Sequence, residues 1–266
     1  MKKQDVQQSL SGCDLVRAIY FFDEIDSTMN KAWEVARRAG PAAAHGTLVV
    51  ARHQTAGRGR QGRVWDSAGR DSGLMFSLVL CEKTVRSVNP TARAELLSMT
   101  VAVAMCEAVR QFCGAGIKYP NDVVCEGRKV CGILIERALV RGQAVCVVGI
   151  GLNVNQELEQ LPAGAATAAT SIYLETGEQY ALAQVLARVM DHLQGWLLQR
   201  SADEVVAQLE ERCVTLGREV TIDVGLDAVV VGTARGISPS GGLRVETATG
   251  DRVVMSGEIV KLHYEA

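Results

Sequence analysis

The sequence predicts an α+β protein: a mixed β-sheet with flanking helices over residues 1–215, then a small β-barrel over residues 216–266. Three observations carry this prediction. Apolar runs at 46–52 and 74–80 have strand length and alternate with segments of helical period. Residues 179–198 place Leu182, Val185, Leu186, Val189, Leu193 and Leu197 on one helical face. After Leu216-Gly217 the period drops to two, with Val220, Ile222 and Val224 separated by polar residues.

Taken in order, residues 17–25 read as a first strand. Asp26-Ser27-Thr28 offers N-cap residues for a helix carrying Met29, Ala32, Trp33, Ala36 and Ala39, which Gly40-Pro41 ends. A polar, Gly- and Arg-rich loop at 54–73 joins the strands at 46–52 and 74–80. Asn89-Pro90 opens the helix expected to be the longest, with proline at its tolerated first position and a stripe from Leu97 to Phe112. Short strands follow near 116–119, 122–125, 130–139 and 144–152. Beyond the helix at 179–198, a further helical stretch runs to about Cys213. The last segment gives strands near 228–236, 242–247 and 252–256, with turns at Gly225, Pro239–Gly242 and Thr249–Asp251.

Composition narrows the function. The 266 residues are 48% hydrophobic and 22% charged, enough to bury a real core. A net charge of −2 gives no general field for nucleic acid or membranes, so any anion site must be local. The N-terminal segment has no signal peptide pattern, and no run is apolar enough to span a bilayer. The eight cysteines lack CxxC spacing and histidine neighbours at metal-ligand distance in sequence. They read as small buried groups in a reducing, cytoplasmic compartment. The four histidines are scattered and receive no role.

The most informative stretch runs from Gln54 to Trp65 (QTAGRGRQGRVW). Its glycines let the backbone wrap closely around a ligand. Arg58, Arg60 and Arg63 supply planar forks matched to carboxylate and phosphate oxygens. Three guanidiniums on one loop repel each other until an anion arrives, so the loop should be mobile when empty and ordered when filled. Trp65 can stack on a base or seal the loop. A bare Arg-Gly tract would read as a solvated turn or an RNA-binding segment, but this one is short, lies inside a folded region and ends in tryptophan.

Three further clusters stand with two readings each. Lys118-Tyr119-Pro120-Asn121-Asp122 is either an ordinary β-turn or a site in which Lys118 holds phosphate and Asp122 holds Mg²⁺. In the strand from Arg128 to Glu136, Lys129 is either a surface lysine or a pocket residue, and Gly132 marks close approach of a ligand or a backbone. Gly149-Ile150-Gly151-Leu152-Asn153 ends an apolar strand. It is either a bulged buried strand or a face on which Gly149 and Gly151 open space and Asn153 bonds a sugar hydroxyl or phosphate. The third glycine and following helix of a dinucleotide fingerprint are missing.

Together, the Asp26–Thr28 triplet, the GRGRxGRxW run, Lys118–Asp122, Arg128–Glu136, Gly149–Asn153 and Met255–Ile259 resemble the biotin protein ligases, over about residues 17–262. The resemblance implies the biotin/lipoate ligase fold, which is class II synthetase-like, with an SH3-like C-terminal barrel. It implies condensation of biotin with ATP to biotinyl-5′-AMP, then transfer to a lysine of a biotin carboxyl carrier protein. By the same resemblance, Ser27, Thr28, Gln54, Arg58, Gly59, Arg60, Lys129, Gly132 and Gly149 would bind biotin. Arg60, Arg63, Trp65, Lys118, Asn121, Asp122 and Asn153 would bind ATP, with Asp122 on Mg²⁺. Lys129 and Arg60 would be the catalytic pair. Tyr119 stands where the family usually has tryptophan, and Met29 where many members have a polar residue. Cys131, beside the expected pocket, is a candidate for alkylation.

A lipoate or octanoate transferase of the same fold is the nearest alternative, and the arginine loop argues against it. Some relatives carry an N-terminal helix-turn-helix domain. Only 26 residues precede Ser27 here, so a DNA-binding role is not expected. No membrane partner is expected, and a homodimer through an exposed sheet edge is left open.

Overall fold

A computed structural model describes residues 1–66, 69–162, 168–225, 228–255 and 258–262. Ser256 and Gly257 of the C-terminal motif, and His263, lie outside the described residues. The chain first lays down a seven-stranded sheet from β1 (Ala18–Phe22), β2 (Thr47–Ala51), β3 (Gly73–Cys81), β4 (Ala115–Lys118), β5 (Asp122–Cys125), β6 (Arg128–Val140) and β7 (Gln143–Asn153), in the order β1-β2-β3-β7-β6-β5-β4. β1 and β2 are parallel and the remaining pairs antiparallel, so the sheet is mixed as expected.

Each face of this sheet has its own core. α5 (Leu97–Arg110), α7 (Leu182–Leu198) and α8 (Ala202–Arg212) cover one face, where Phe76, Leu78, Met105, Val148 and Leu193 meet. α2 (Thr28–Ala39) and α3 (Pro41–Ala44) cover part of the other, where Ala32 and Trp33 of α2 meet Val79, Val145 and Val147. Helices on both faces explain why β2 and β3 are buried along their whole length and read as continuous apolar runs. α1 (Lys3–Ser9), α4 (Glu82–Val88) and α6 (Ile172–Thr176) complete the described helices.

Two helix expectations need correction. The segment after Asn89-Pro90 is a turn and a short 3₁₀ stretch (Ala94–Leu96), and α5 begins only at Leu97. The Asn89 side chain accepts from Thr91 N–H and donates to the Leu197 and Arg200 carbonyls, which fixes a turn instead of starting a helix. The longest helix is α7, not α5. α5 is sandwiched between the sheet and its neighbours and is buried nearly all round from Met99 to Val109, so its apolar positions exceed a single stripe. α1 was not foreseen because it buries only Val6.

The C-terminal segment forms β8 (Glu219–Gly225), β9 (Ala228–Ile237), β10 (Leu243–Thr247), β11 (Gly250–Val254) and β12 (Glu258–Leu262), ordered β11-β10-β9-β8-β12. It is an antiparallel five-stranded sheet. The expected barrel is met in strand content, but β11 and β12 are not paired to each other among the described residues, so no closed barrel is formed there. The two sheets meet at Tyr119, whose peptide bond to Pro120 is cis. Its hydroxyl lies 3.1 Å from the Gly241 and Val254 carbonyls, and its backbone N–H donates to Thr215 Oγ1 at 3.0 Å.

Candidate active site

Strand alternation opens the cleft. On β7, Val145 and Val147 face α2 and α3, and the next residues on that face are Gly149 and Gly151. Here the helices stop and a cleft of about 390 Å³ begins. It is lined by the start of α2, the arginine loop, the β4–β5 turn and the glycine-bearing ends of β6 and β7. Every residue assigned a site role from sequence lines it: Ser27, Thr28, Gln54, Arg58, Gly59, Arg60, Arg63, Trp65, Lys118, Asn121, Asp122, Lys129, Gly132, Gly149 and Asn153.

The inner end is polar and buried. Gln54 Oε1 accepts from the Thr28 N–H at 2.8 Å and from Thr28 Oγ1 at 3.0 Å, and Ser77 Oγ donates to Thr28 Oγ1 at 2.8 Å. Ser27 occupies the N-cap position of α2, but its side chain makes no capping bond. Its Oγ is fully buried and has no partner among the described residues. A buried hydroxyl in that state costs about 1–3 kcal/mol, which a polar group of a ligand in the cleft would recover.

The floor is flat because of register. Gly132 of β6 pairs with Gly151 of β7, and a side chain added at either would overlap the Trp65 indole. Only glycine allows this approach. Met29 fills the neighbouring space over Gly149, so its side chain shapes the cleft.

The arginine loop folds over this floor. A Gly59 N–H to Arg63 carbonyl bond of 2.7 Å and a Trp65 N–H to Gly57 carbonyl bond of 3.0 Å make it a tight return. Arg60–Gly62 forms a 3₁₀ turn with Gln61 in the left-handed region. Arg60 Nη1 donates to Asn121 Oδ1 at 2.8 Å, and Asn121 Nδ2 donates to the Ile133 carbonyl at 2.6 Å. Arg58 pairs with Glu136 at 3.0 Å, and Glu136 also accepts from Trp33 Nε1 at 2.6 Å. The stem is held by Arg52, which bonds Asp71 on the far side of the loop and Asp23.

The outer end is cationic. Lys129 Nζ stands 2.6 Å from Asp122 Oδ1 and 5.9 Å from the Trp65 ring centre. A bulge aims it there. Cys131 pairs with Val123 but Lys129 with Val124, which leaves Val130 as the extra residue. Without it, Lys129 would share the buried face of Cys131. Burial holds the Lys118 ammonium below the usual lysine range, and the positive charges of Lys129 and Arg63 add to this while Asp122 opposes it. A bound polyphosphate would reverse that repulsion. No cluster of three or more His, Cys, Asp or Glu at metal-binding distance occurs among the described residues.

Some residues differ from expectation. Asn153 lines the cleft, but Nδ2 donates to the Thr170 carbonyl at 2.9 Å and Oδ1 accepts from Gln156 at 3.3 Å, so it also braces the wall. Cys131 is not exposed to the cleft: it is fully buried on the opposite face, and burial pushes its thiol upward, which removes it as an alkylation site. Glu136 was missed as a site residue; its signal was parity, since it shares a face with Gly132. Gly151 shares its face with Gly149 and lines the cleft, as the sequence suggests.

Known proteins resemble this chain along most of its length. Residues 21–155 match the Biotin/lipoate A/B protein ligase family, and residues 215–262 match the Biotin protein ligase C terminal domain. The biotin--[acetyl-CoA-carboxylase] ligase of Mycobacterium tuberculosis is 31% identical over 86% of this chain and 84% of its own length. The enzyme of the same name from Paracoccus denitrificans is 34% identical over 88% and 96% respectively. Among solved structures, the biotin protein ligase from Aquifex aeolicus in complex with biotin and ATP superposes with a TM-score of 0.76 at 29% identity, covering 94% of this chain and all of that one.

Proposed function

Because this chain belongs to the biotin/lipoate A/B protein ligase family, we propose that biotin and ATP meet in the cleft, biotin's ring head at the Ser27 end and the polyphosphate at the Lys118–Lys129 end. The protein is a ligase that attaches biotin to protein at the expense of ATP. What carries the placement is the buried Ser27 hydroxyl, which lacks a partner among the described residues beside the Thr28–Gln54–Ser77 network. A cyclic urea offers donors and an acceptor to such an end. A dithiolane ring or an alkyl chain would leave Ser27 unsatisfied, which disfavours lipoate or octanoate.

The chemistry asks two anions to react. The biotin carboxylate oxygen attacks the α-phosphorus, the bond to the β-phosphate oxygen breaks, and pyrophosphate leaves. The amine of a lysine on a biotin carboxyl carrier protein then attacks the acyl carbon, the acyl–oxygen bond breaks, and AMP leaves as the amine gives up a proton. Lys129 and Arg60 stand where charge gathers in the first step, and preorganised cations there lower its barrier. Arg58, Gly59 and Arg60 close over the adenylate and keep water from the anhydride. Trp65, Arg63 and Asn153 form the nucleotide side, Lys118, Asn121 and Asp122 the phosphate side, and Gly132 and Gly149 the space for the biotin chain.

Magnesium fits as an ion carried by the polyphosphate, because it needs only one or two protein carboxylates and takes its other ligands from phosphates and water. Asp122 would hold it once Lys129 turns to the substrates, and the ion would screen the leaving pyrophosphate. The division between the catalytic segment and the C-terminal sheet falls near residue 215, with Ile259 of β12 reaching back to line the cleft, and eight free cysteines suit a reducing cytoplasm. The test is incubation with biotin, ATP, magnesium and a carrier domain, followed by carrier mass. Addition of one biotinyl group is expected; transfer of lipoate in preference to biotin would overturn the assignment.

A further inference from the structure

Outside the cleft, two thiols meet. Cys113 lies in the turn after α5, and Cys125 is the last residue of β5. Their sulfurs are 2.8 Å apart. Forming a bond of about 2.05 Å would need a closure of only about 0.8 Å. By contrast, the thiols of Cys81, Cys106, Cys131 and Cys146 point to oxygen acceptors.

We propose that Cys113 and Cys125 form a reversible redox couple, converted by a hydroperoxide to an intrachain disulfide. Their environments divide the labour. Cys113 is partly exposed, whereas Cys125 is buried. The hydrogen bond from Cys125 holds the Cys113 thiol below the usual cysteine range, against burial and the nearby Glu175 carboxylate. The same contact, with burial, pushes Cys125 upward. Cys113 is therefore the attacking group and Cys125 the resolving one.

The Cys113 thiolate attacks the terminal peroxide oxygen and the O–O bond breaks. Cys113 becomes a sulfenic acid, and with hydrogen peroxide as oxidant the departing hydroxide takes a proton to leave as water. Cys125 then attacks the Cys113 sulfur, the S–O bond breaks, and a second water leaves carrying the Cys125 proton. Two thiols lose two electrons, and the peroxide gains them. An external dithiol reverses the step by exchange. The location gives the bond a consequence. The closed ring contains β4, the turn Lys118–Asp122 and β5, so oxidation ties together both ends of the hairpin that carries the phosphate-side residues. The bond-forming chemistry does not depend on the function proposed for those residues.

The test treats the full chain with hydrogen peroxide, alkylates remaining thiols under denaturing conditions and maps peptides by mass. The expected result is a Cys113–Cys125 cross-link, two hydrogens lighter, with the other six cysteines alkylated and full reversal by dithiothreitol. In Cys125→Ser, Cys113 should be trapped as a sulfenic acid by dimedone, and Cys113→Ser should give neither cross-link nor dimedone label at Cys125. The oxidised wild type should melt several degrees higher, about 6 °C for a ring of this size. Wild-type Cys113 and Cys125 remaining free thiols, Cys113 passing to sulfinic acid without a cross-link, or a preferred cross-link between other cysteines would each overturn the proposal.

Discussion

Gly132 and Gly151 face each other across β6 and β7, and together they form the bed on which the Trp65 indole rests. Neither could carry a side chain without moving the ring. A strand can accept alanine or valine in its backbone, so the cost of such a change falls on the ring's position. Gly151→Val should leave the circular dichroism spectrum intact while weakening substrate uptake at least tenfold, about 1.4 kcal/mol, by calorimetry. Unaltered affinity would mean that the indole position is irrelevant to binding.

Lys129 is half-exposed and held at 2.6 Å by Asp122, so its removal should cost little stability. Lys129→Ala is expected to lower biotin-dependent pyrophosphate release by about 10²–10³-fold, with a melting temperature close to that of the parent. Release at the parental rate would take Lys129 out of the reaction.

Arg60 reaches across the cleft to Asn121, whose amide is fixed to the Ile133 carbonyl. Arg60→Gly removes this strap and adds a flexible residue to the loop. The adenylate should then escape before transfer and biotinylate bystander lysines, seen as labelling of added albumin. If labelling stays confined to the carrier, the strap does not retain the intermediate.

His45 is a stability element, away from the cleft. Its Nδ1 accepts the Cys81 N–H at 3.2 Å, and burial, helped by the Arg17 charge, pulls its pKa down to about 4. The folded state thus prefers neutral imidazole. The stabilisation is complete above the unfolded value near 6.5 and is lost as pH falls from there through about 4. The loss is on the order of 3 kcal/mol. His45→Gln retains an acceptor but gains no proton, so its urea-unfolding free energy should decline less than the parent's between pH 7 and pH 4. Parallel declines would show that His45 does not titrate on unfolding.

The reach and failure of sequence reading follow particular residues. The arginine loop was legible because its residue types are costly to place without a ligand, whereas the Lys118–Asp122 turn reads equally well as an ordinary β-turn and took its role only from the resemblance. The strands β2 and β3 were legible in unbroken apolar runs, but their burial on both faces was read only from the structure. Gly132 was seen singly, but its partnership with Gly151 depends on a register that the bulge at Val130 sets, and a bulge leaves no local pattern. The same slip decides that Lys129 enters the cleft while Cys131 is buried behind it. The late start of α5 escaped because Asn89-Pro90 is good helix-opening chemistry, and the competing bonds to Leu197 and Arg200 come from a segment far along the chain.

The Tyr119 hydroxyl has one proton and two carbonyls at equal range, one in the Gly241 turn and one at the end of β11. It works as a rivet through both sheets, set directly beside Asn121 and Asp122. Cutting the chain after Thr215 would therefore not liberate a working upper half: the rivet would pull out, and the segment that grips phosphate would lose its footing along with the piece discarded.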